Sequence, residues 1–173
     1  MKFDESGWLI GRATPWLVSD CYSLFSPDVS SRVDCGRWTA QAARFFDASV
    51  EVTPQKRYPE NGEPIRDALQ LHVSFAGATA EVSVQTLPLE DAHSLFTAAE
   101  GAVARMGGAG FDVLLGRARR LWQVRIDGEP RAASLVTALL ASVWLAPVLP
   151  PDQSCMFGVK GARQRFEALT PCR

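Results

Sequence analysis

The hydrophobic pattern first becomes regular at Leu69. Leu71, Val73 and Phe75 alternate with His72, Ser74 and Ala76, the period of a strand with one buried face. Gly77-Ala78 breaks the run, and Val82 and Val84 resume it to about Leu87, so residues 69–87 predict a β-hairpin. Pro88 suits a first helical turn. Beyond it Ala92, Leu95, Phe96, Ala99, Val103 and Met106 form one apolar stripe, while Glu90, His93, Thr97 and Glu100 fall on the opposite side. Gly107-Gly108 supplies the stop signal for that helix.

The same order is then expected again. Phe111 to Leu115 and Leu121 to Ile126 read as strands, and Asp127-Gly128 precedes a helix from about Arg131. Residues 69–146 therefore predict a ββα-ββα order, without matching residues that would mark a duplication. A short strand over Met156–Val159 and a helix over Gly161–Leu169 complete the pattern. In the first third, Trp38–Phe46 reads as a helix and Ser49–Thr53 as a strand. Residues 54–64, PQKRYPENGEP, read as an exposed loop inside a single domain of residues 1–173. The fold class that follows is α+β: an antiparallel sheet built from hairpins, with helices packed mainly on one face.

One segment tests that picture. Ala132 to Pro151 carries no charge and approaches the roughly 20 residues that span a bilayer. Pro147 and Pro150-Pro151 end its helix near Ala146, which leaves about 15 helical residues, too few to cross. A buried helix with Val136, Leu139, Leu140 and Val143 in the core is expected, and no membrane partner.

Composition narrows the class without naming a reaction. With 173 residues and 47% hydrophobic residues the chain can build a core without metals or disulfides. Charged residues make up 21% and the net charge is −1, which argues against a disordered tail or a polyanion binder. Arginine far outnumbers lysine, a bacterial-type coding bias that carries no functional weight. Met1–Glu5 is acidic where a secretory leader is basic, so a soluble cytoplasmic protein is expected, with Cys21, Cys35, Cys155 and Cys172 as reduced thiols. No C-x-x-C pair and no histidine at ligand spacing occurs, and neither a metal nor another cofactor is expected.

No nucleophile elbow, P-loop, H-E-x-x-H or dinucleotide fingerprint is present, so no catalytic residue is assigned. His72 and His93 are the two histidines. His93 falls on the polar side of its helix, whereas His72 lies on the second face of the hairpin, where it would line a cleft if helices left that face open. Gly158-Val159-Lys160-Gly161 lies between a predicted strand and helix, and with Lys160, Arg163 and Arg165 it forms a candidate anion site. Arg117, Arg119 and Arg120 form the densest basic cluster, expected at a hairpin tip ahead of Trp122 and Arg125. Trp122 alternates with Val124 and Ile126 and so points to the core; that and a pI near 6.1 argue against nucleic acid.

Charge is unevenly spread. Residues up to 104 carry a net −6 and those from Arg105 onward a net +5. With five tryptophans, a residue enriched at binding hot spots, this favours a non-enzymatic protein-binding module, such as an immunity-type inhibitor, adaptor or assembly factor. Its partner would be a protein, acidic if the arginines meet it, and self-association is left open. The alternative is an enzyme or small-ligand binder with a pocket between the sheet and the N-terminal segment.

Overall fold

Alternating strands with a short turn between them form the first hairpin, β5 (Leu69–Phe75) and β6 (Ala78–Pro88), in the computed structural model of the chain. The structure describes residues 14–52 and 69–169, together with the backbone of two short paired strands, β1 (Lys2–Phe3) and β2 (Leu9–Ile10). The loop expected at 54–64 lies outside the described residues, as does Cys172. Phe75 pairs with Ala78, so the turn residues are Ala76 and Gly77, one earlier than the sequence suggests. Both have positive φ, 47° and 78°, as a two-residue turn that matches strand twist requires.

The remaining elements are β3 (Cys21–Ser26), α1 (Cys35–Phe46), β4 (Ala48–Val52), α2 (His93–Arg105), α3 (Phe111–Gly116), β7 (Arg120–Arg125), α4 (Pro130–Trp144), β8 (Val148–Leu149) and α5 (Val159–Leu169). They make an α+β fold with one antiparallel sheet of six strands in the order β4-β5-β6-β7-β3-β8. The expected class holds, with three of the five α-helices among the described residues on one face.

That face is apolar except at one end, where Ser26, Thr86 and Arg120 lie together. Leu24, Val50, Leu71, Val73, Phe75, Val82, Val84, Trp122 and Val124 project from it onto α4, flanked by Trp38 and Ala42 of α1 and Phe166 of α5. The uncharged segment is α4. Val136, Leu139, Leu140 and Val143 are all buried, and the helix ends at Leu145 in the left-handed region, two residues before Pro147. No described helix is long and apolar enough to cross a membrane. Trp122 stacks on Trp144 at 4.3 Å and meets the edge of Trp38 at 6.1 Å, so three of the five tryptophans belong to this core rather than to a binding surface.

Three local expectations need correction. Phe111–Leu115 is the first five residues of α3, not a strand, so the second unit runs αβα rather than ββα. Five residues are too few for periodicity to separate helix from strand, and Phe111 and Leu115 share a face at helical spacing as well. Four successive residues with positive φ, Gly107 to Gly110, turn the chain into that helix. Met156–Val159 is not a strand either: Phe157 alone bridges Val148, and Val159 already begins α5. Arg117, Arg119 and Arg120 accordingly sit at the α3–β7 junction, not on a hairpin tip.

Candidate functional site

The second face of the sheet is divided, and the division can be followed along β6. Leu87 lies in an apolar cluster with Phe25, Leu121 and Leu149, capped by Leu95, Ala99, Ala102 and Val103 of α2 and Leu115 of α3. Two residues back, Gln85 is buried and polar. Further on, Ser83 and Glu81 join Gln70, His72 and Glu51 on an open stretch formed by β4, β5 and β6.

Gln85 and Gln123 hold the segment Thr14–Leu17 against the middle of this face. Gln123 Oε1 accepts from the Trp16 amide at 2.8 Å and from Gln85 Nε2 at 2.7 Å. Gln123 Nε2 donates to the Trp16 carbonyl at 3.1 Å and to Cys21 Sγ at 3.0 Å, while Gln85 Nε2 also reaches the Thr14 carbonyl at 3.1 Å. Arg125 covers the Trp16 ring at 4.6 Å. Burial pushes the Cys21 thiol up to about 11, so it stays protonated, donating to the Leu17 carbonyl at 3.3 Å, and is structural rather than a nucleophile. Periodicity does not single out either glutamine. The available signal was the run Leu121-Trp122-Gln123-Val124, whose apolar neighbours on both parities imply that Gln123 is buried too.

Three openings of about 350 Å³ each border α2. One lies between α2 and Pro15–Val18, beside Leu95 and Ala98. The space between Thr14–Trp16 and the sheet itself is taken by the two glutamines. The other two openings adjoin, because Phe96 lines both. At one end are Pro88, Leu89, Glu90, His93 and Arg119. The other end is apolar along Val103, Ala104 and Leu115, with Glu100 and Asp112 at its margin and no basic residue in its lining. Neither carboxylate joins an ion pair among the described residues. From His93 to Ala104 the helix rises about 16 Å, which sets the length of the trough.

The residues singled out in the sequence are scattered. His72 is exposed on the open part of the sheet, and its Nδ1 meets Glu81 Oε1 at 2.7 Å across the hairpin. Among the described residues no group of three His, Cys, Asp or Glu side chains is placed to hold a metal ion. Arg117 is exposed. Arg119 donates to the carbonyls of Gly116 and Ala118, closing the end of α3, and its side chain lines the trough. Arg120 is structural: its guanidinium donates to the Val29 carbonyl at 2.9 Å and to Thr86 Oγ1 at 3.4 Å.

The arginine side chains of the α5 group meet separate partners. Lys160 is exposed, Arg163 pairs with Glu167 at 2.9 Å, and Arg165 covers the Phe157 ring at 4.4 Å and reaches Cys155 Sγ at 3.5 Å. A Cβ at Gly161 would lie 2.8 Å from Phe157 Cβ, so that glycine serves packing. Close by, the Ser154 amide and hydroxyl hold the Asp152 carboxyl below its usual range. No protein-family model, curated protein or solved structure matches this chain.

Proposed function

We propose that this chain is a non-enzymatic protein-binding module, of the inhibitor, adaptor or assembly-factor kind, that takes its partner along the outer side of α2. The observation that carries this reading is the trough formed by two adjoining openings over Phe96, which is half-buried among Leu89, Val103 and Leu115 with charged residues at the margins. Val113 and Leu114 of the neighbouring α3 are exposed, extending the apolar area. Water-excluding contacts around a few large apolar anchors supply most of the free energy of such interfaces.

Two variants close the trough at little cost to the fold. Ala104 is exposed where it lines the opening, and a Cβ at Gly116 meets no atom within 4 Å. Proteins crosslinked to the wild-type chain in its native cells are expected to be lost from Ala104→Lys and Gly116→Leu and kept by His72→Ala on the open sheet. An unchanged crosslinked set in both trough variants would sink the proposal.

The small-ligand alternative is supported by the third opening, where Pro15, Trp16, Leu17 and Val18 face Leu95 and Ala98. Its size is at the low end of the roughly 300–1,000 Å³ of ligand sites. A metabolite panel that raises the melting temperature of the wild type but not of Ala98→Phe would favour it.

A further inference from the structure

We infer that the occupant of the trough is an amphipathic helix of a partner protein, with an apolar anchor over Phe96 and Val103 and lysine or arginine side chains beside Glu100 and Asp112. The inference rests on the proposal that the trough is a protein-docking site, and it adds the chemistry and direction of what docks. Three observations carry it.

The first is charge. Glu100 and Asp112 flank an apolar opening without a cation in its lining and without an ion pair of their own among the described residues. A cationic side chain brought to that margin gains attraction from both, and the apolar floor excludes water as the anchor enters, strengthening it. The second is shape. Gly108 and Gly116 line the same opening with no side chain, which leaves room for one or two large apolar groups from outside. The trough length of about 16 Å matches roughly three turns of helix, and an i, i+4, i+7, i+11 set of anchors spans that distance.

The third is polarity. The far end of the trough carries Arg119 beside Glu90 and His93, whereas the α3 end is acidic only. A helix presents a partial positive charge at its N-terminus and a partial negative charge at its C-terminus. The favoured direction therefore puts the partner's N-terminal turn and basic residues at Glu100 and Asp112, and its C-terminal turn at Arg119. Arg119 in this way accepts the acidic part of a partner whose other end is basic.

The test uses three synthetic 14-residue helices that share leucine anchors and carry lysine, glutamine or glutamate at all other positions, each titrated into the isotopically labelled full chain. Binding of the lysine peptide is expected to move the amide resonances of Phe96, Val103, Gly108 and Gly116 and to weaken as salt is raised. Glu100→Gln together with Asp112→Asn should weaken it about 5- to 10-fold, each neutralised carboxylate removing a modest, partly screened attraction. If the glutamine or glutamate peptide binds the trough as tightly as the lysine peptide, the charge inference fails while the docking proposal stands. If none of the three moves any trough resonance, both fall.

Discussion

Replacing Gln123 with leucine isolates the device that fastens the N-terminal segment to the sheet. Leucine is similar in size and suits an apolar site, so the change removes polar atoms more than volume. Trp16 then loses both of its anchors, the amide to Oε1 at 2.8 Å and the carbonyl from Nε2 at 3.1 Å. Each neutral hydrogen bond contributes about 1 kcal/mol net. Gln85 also loses an acceptor but keeps the Thr14 carbonyl, so its stranding adds at the low end of about 1–3 kcal/mol. The expected loss is about 2–3 kcal/mol, concentrated in the segment. Since about 1.4 kcal/mol is tenfold in an equilibrium constant, hydrogen exchange at the Trp16 amide should accelerate roughly 30- to 140-fold. Amides of β5 should change far less. In Gln85→Leu/Gln123→Leu the stranded donor is gone, and the pair should cost less than the sum of its single changes. Trp16 exchange within threefold of wild type in Gln123→Leu would refute the reasoning.

Further outcomes follow from packing and charge. Leu139→Ala opens a cavity in place of a fully buried side chain and should cost about 2–5 kcal/mol in chemical denaturation. Gly161→Ala should destabilise by about 1–3 kcal/mol despite alanine's better helix propensity, because Phe157 is fixed to Val148 by two backbone bonds and cannot withdraw; a higher melting temperature would contradict this. The Cys21 thiol is raised from 9.0 to about 11, so the unfolded chain releases this proton before the folded one does. Its contribution is intact below pH 9 and declines towards pH 11 by at most about 1.4 kcal/mol per pH unit, and Cys21→Ala should flatten the stability profile over that window. Arg120→Ser should cost about 1–2 kcal/mol through the lost bonds to Val29 and Thr86, whereas Arg117→Ser with Arg119→Ser should leave the melting temperature nearly unchanged; equal effects would show that the three act as one cluster.

How much of this was legible depended on whether one period dominated a segment. The β5–β6 hairpin and the apolar stripe of α2 were readable because each runs for two or more periods, and α4 because its lack of charge admits only burial or a membrane and Pro147 decides between them. Phe111–Leu115 was misread because a five-residue apolar run fits either element, and only the following turn of backbone shows which. The arginines were found as a cluster, yet their roles separate in space. Arg120 is on a strand and reaches back to Val29, a contact 91 residues apart that no local spacing encodes. The trough was half legible: Phe96 and Val103 belong to the stripe, but its other wall comes from the α3 that was not foreseen.

The division of the second face along β6 also explains why a polar pair is kept where apolar residues would serve. Leu87, Gln85, Ser83 and Glu81 follow one another on this face at about 6.8 Å intervals, and each meets a different environment. The other face, with Ala80, Val82, Val84 and Thr86 in order, distinguishes a two-residue shift less sharply, since one valine would take the place of the other and only Ala80 or Thr86 would enter the remaining site. Gln85 distinguishes it clearly. In register it stands opposite Gln123, and the two amides satisfy each other and the Thr14–Trp16 backbone. A two-residue slip would slide Gln85 under the leucines and alanines of α2 and leave Gln123 facing an apolar or open position, stranding two buried amides at about 1–3 kcal/mol each. The pair thus fixes β6 against β7, and β6 continues through Leu89–Ala92 into α2. The position of the trough therefore depends on two glutamines that do not line it. In Gln85→Leu/Gln123→Leu the resonances of Phe96 and Val103 should broaden or double as alternative registers are populated, and sharp single resonances there would show that the apolar packing alone fixes the strand.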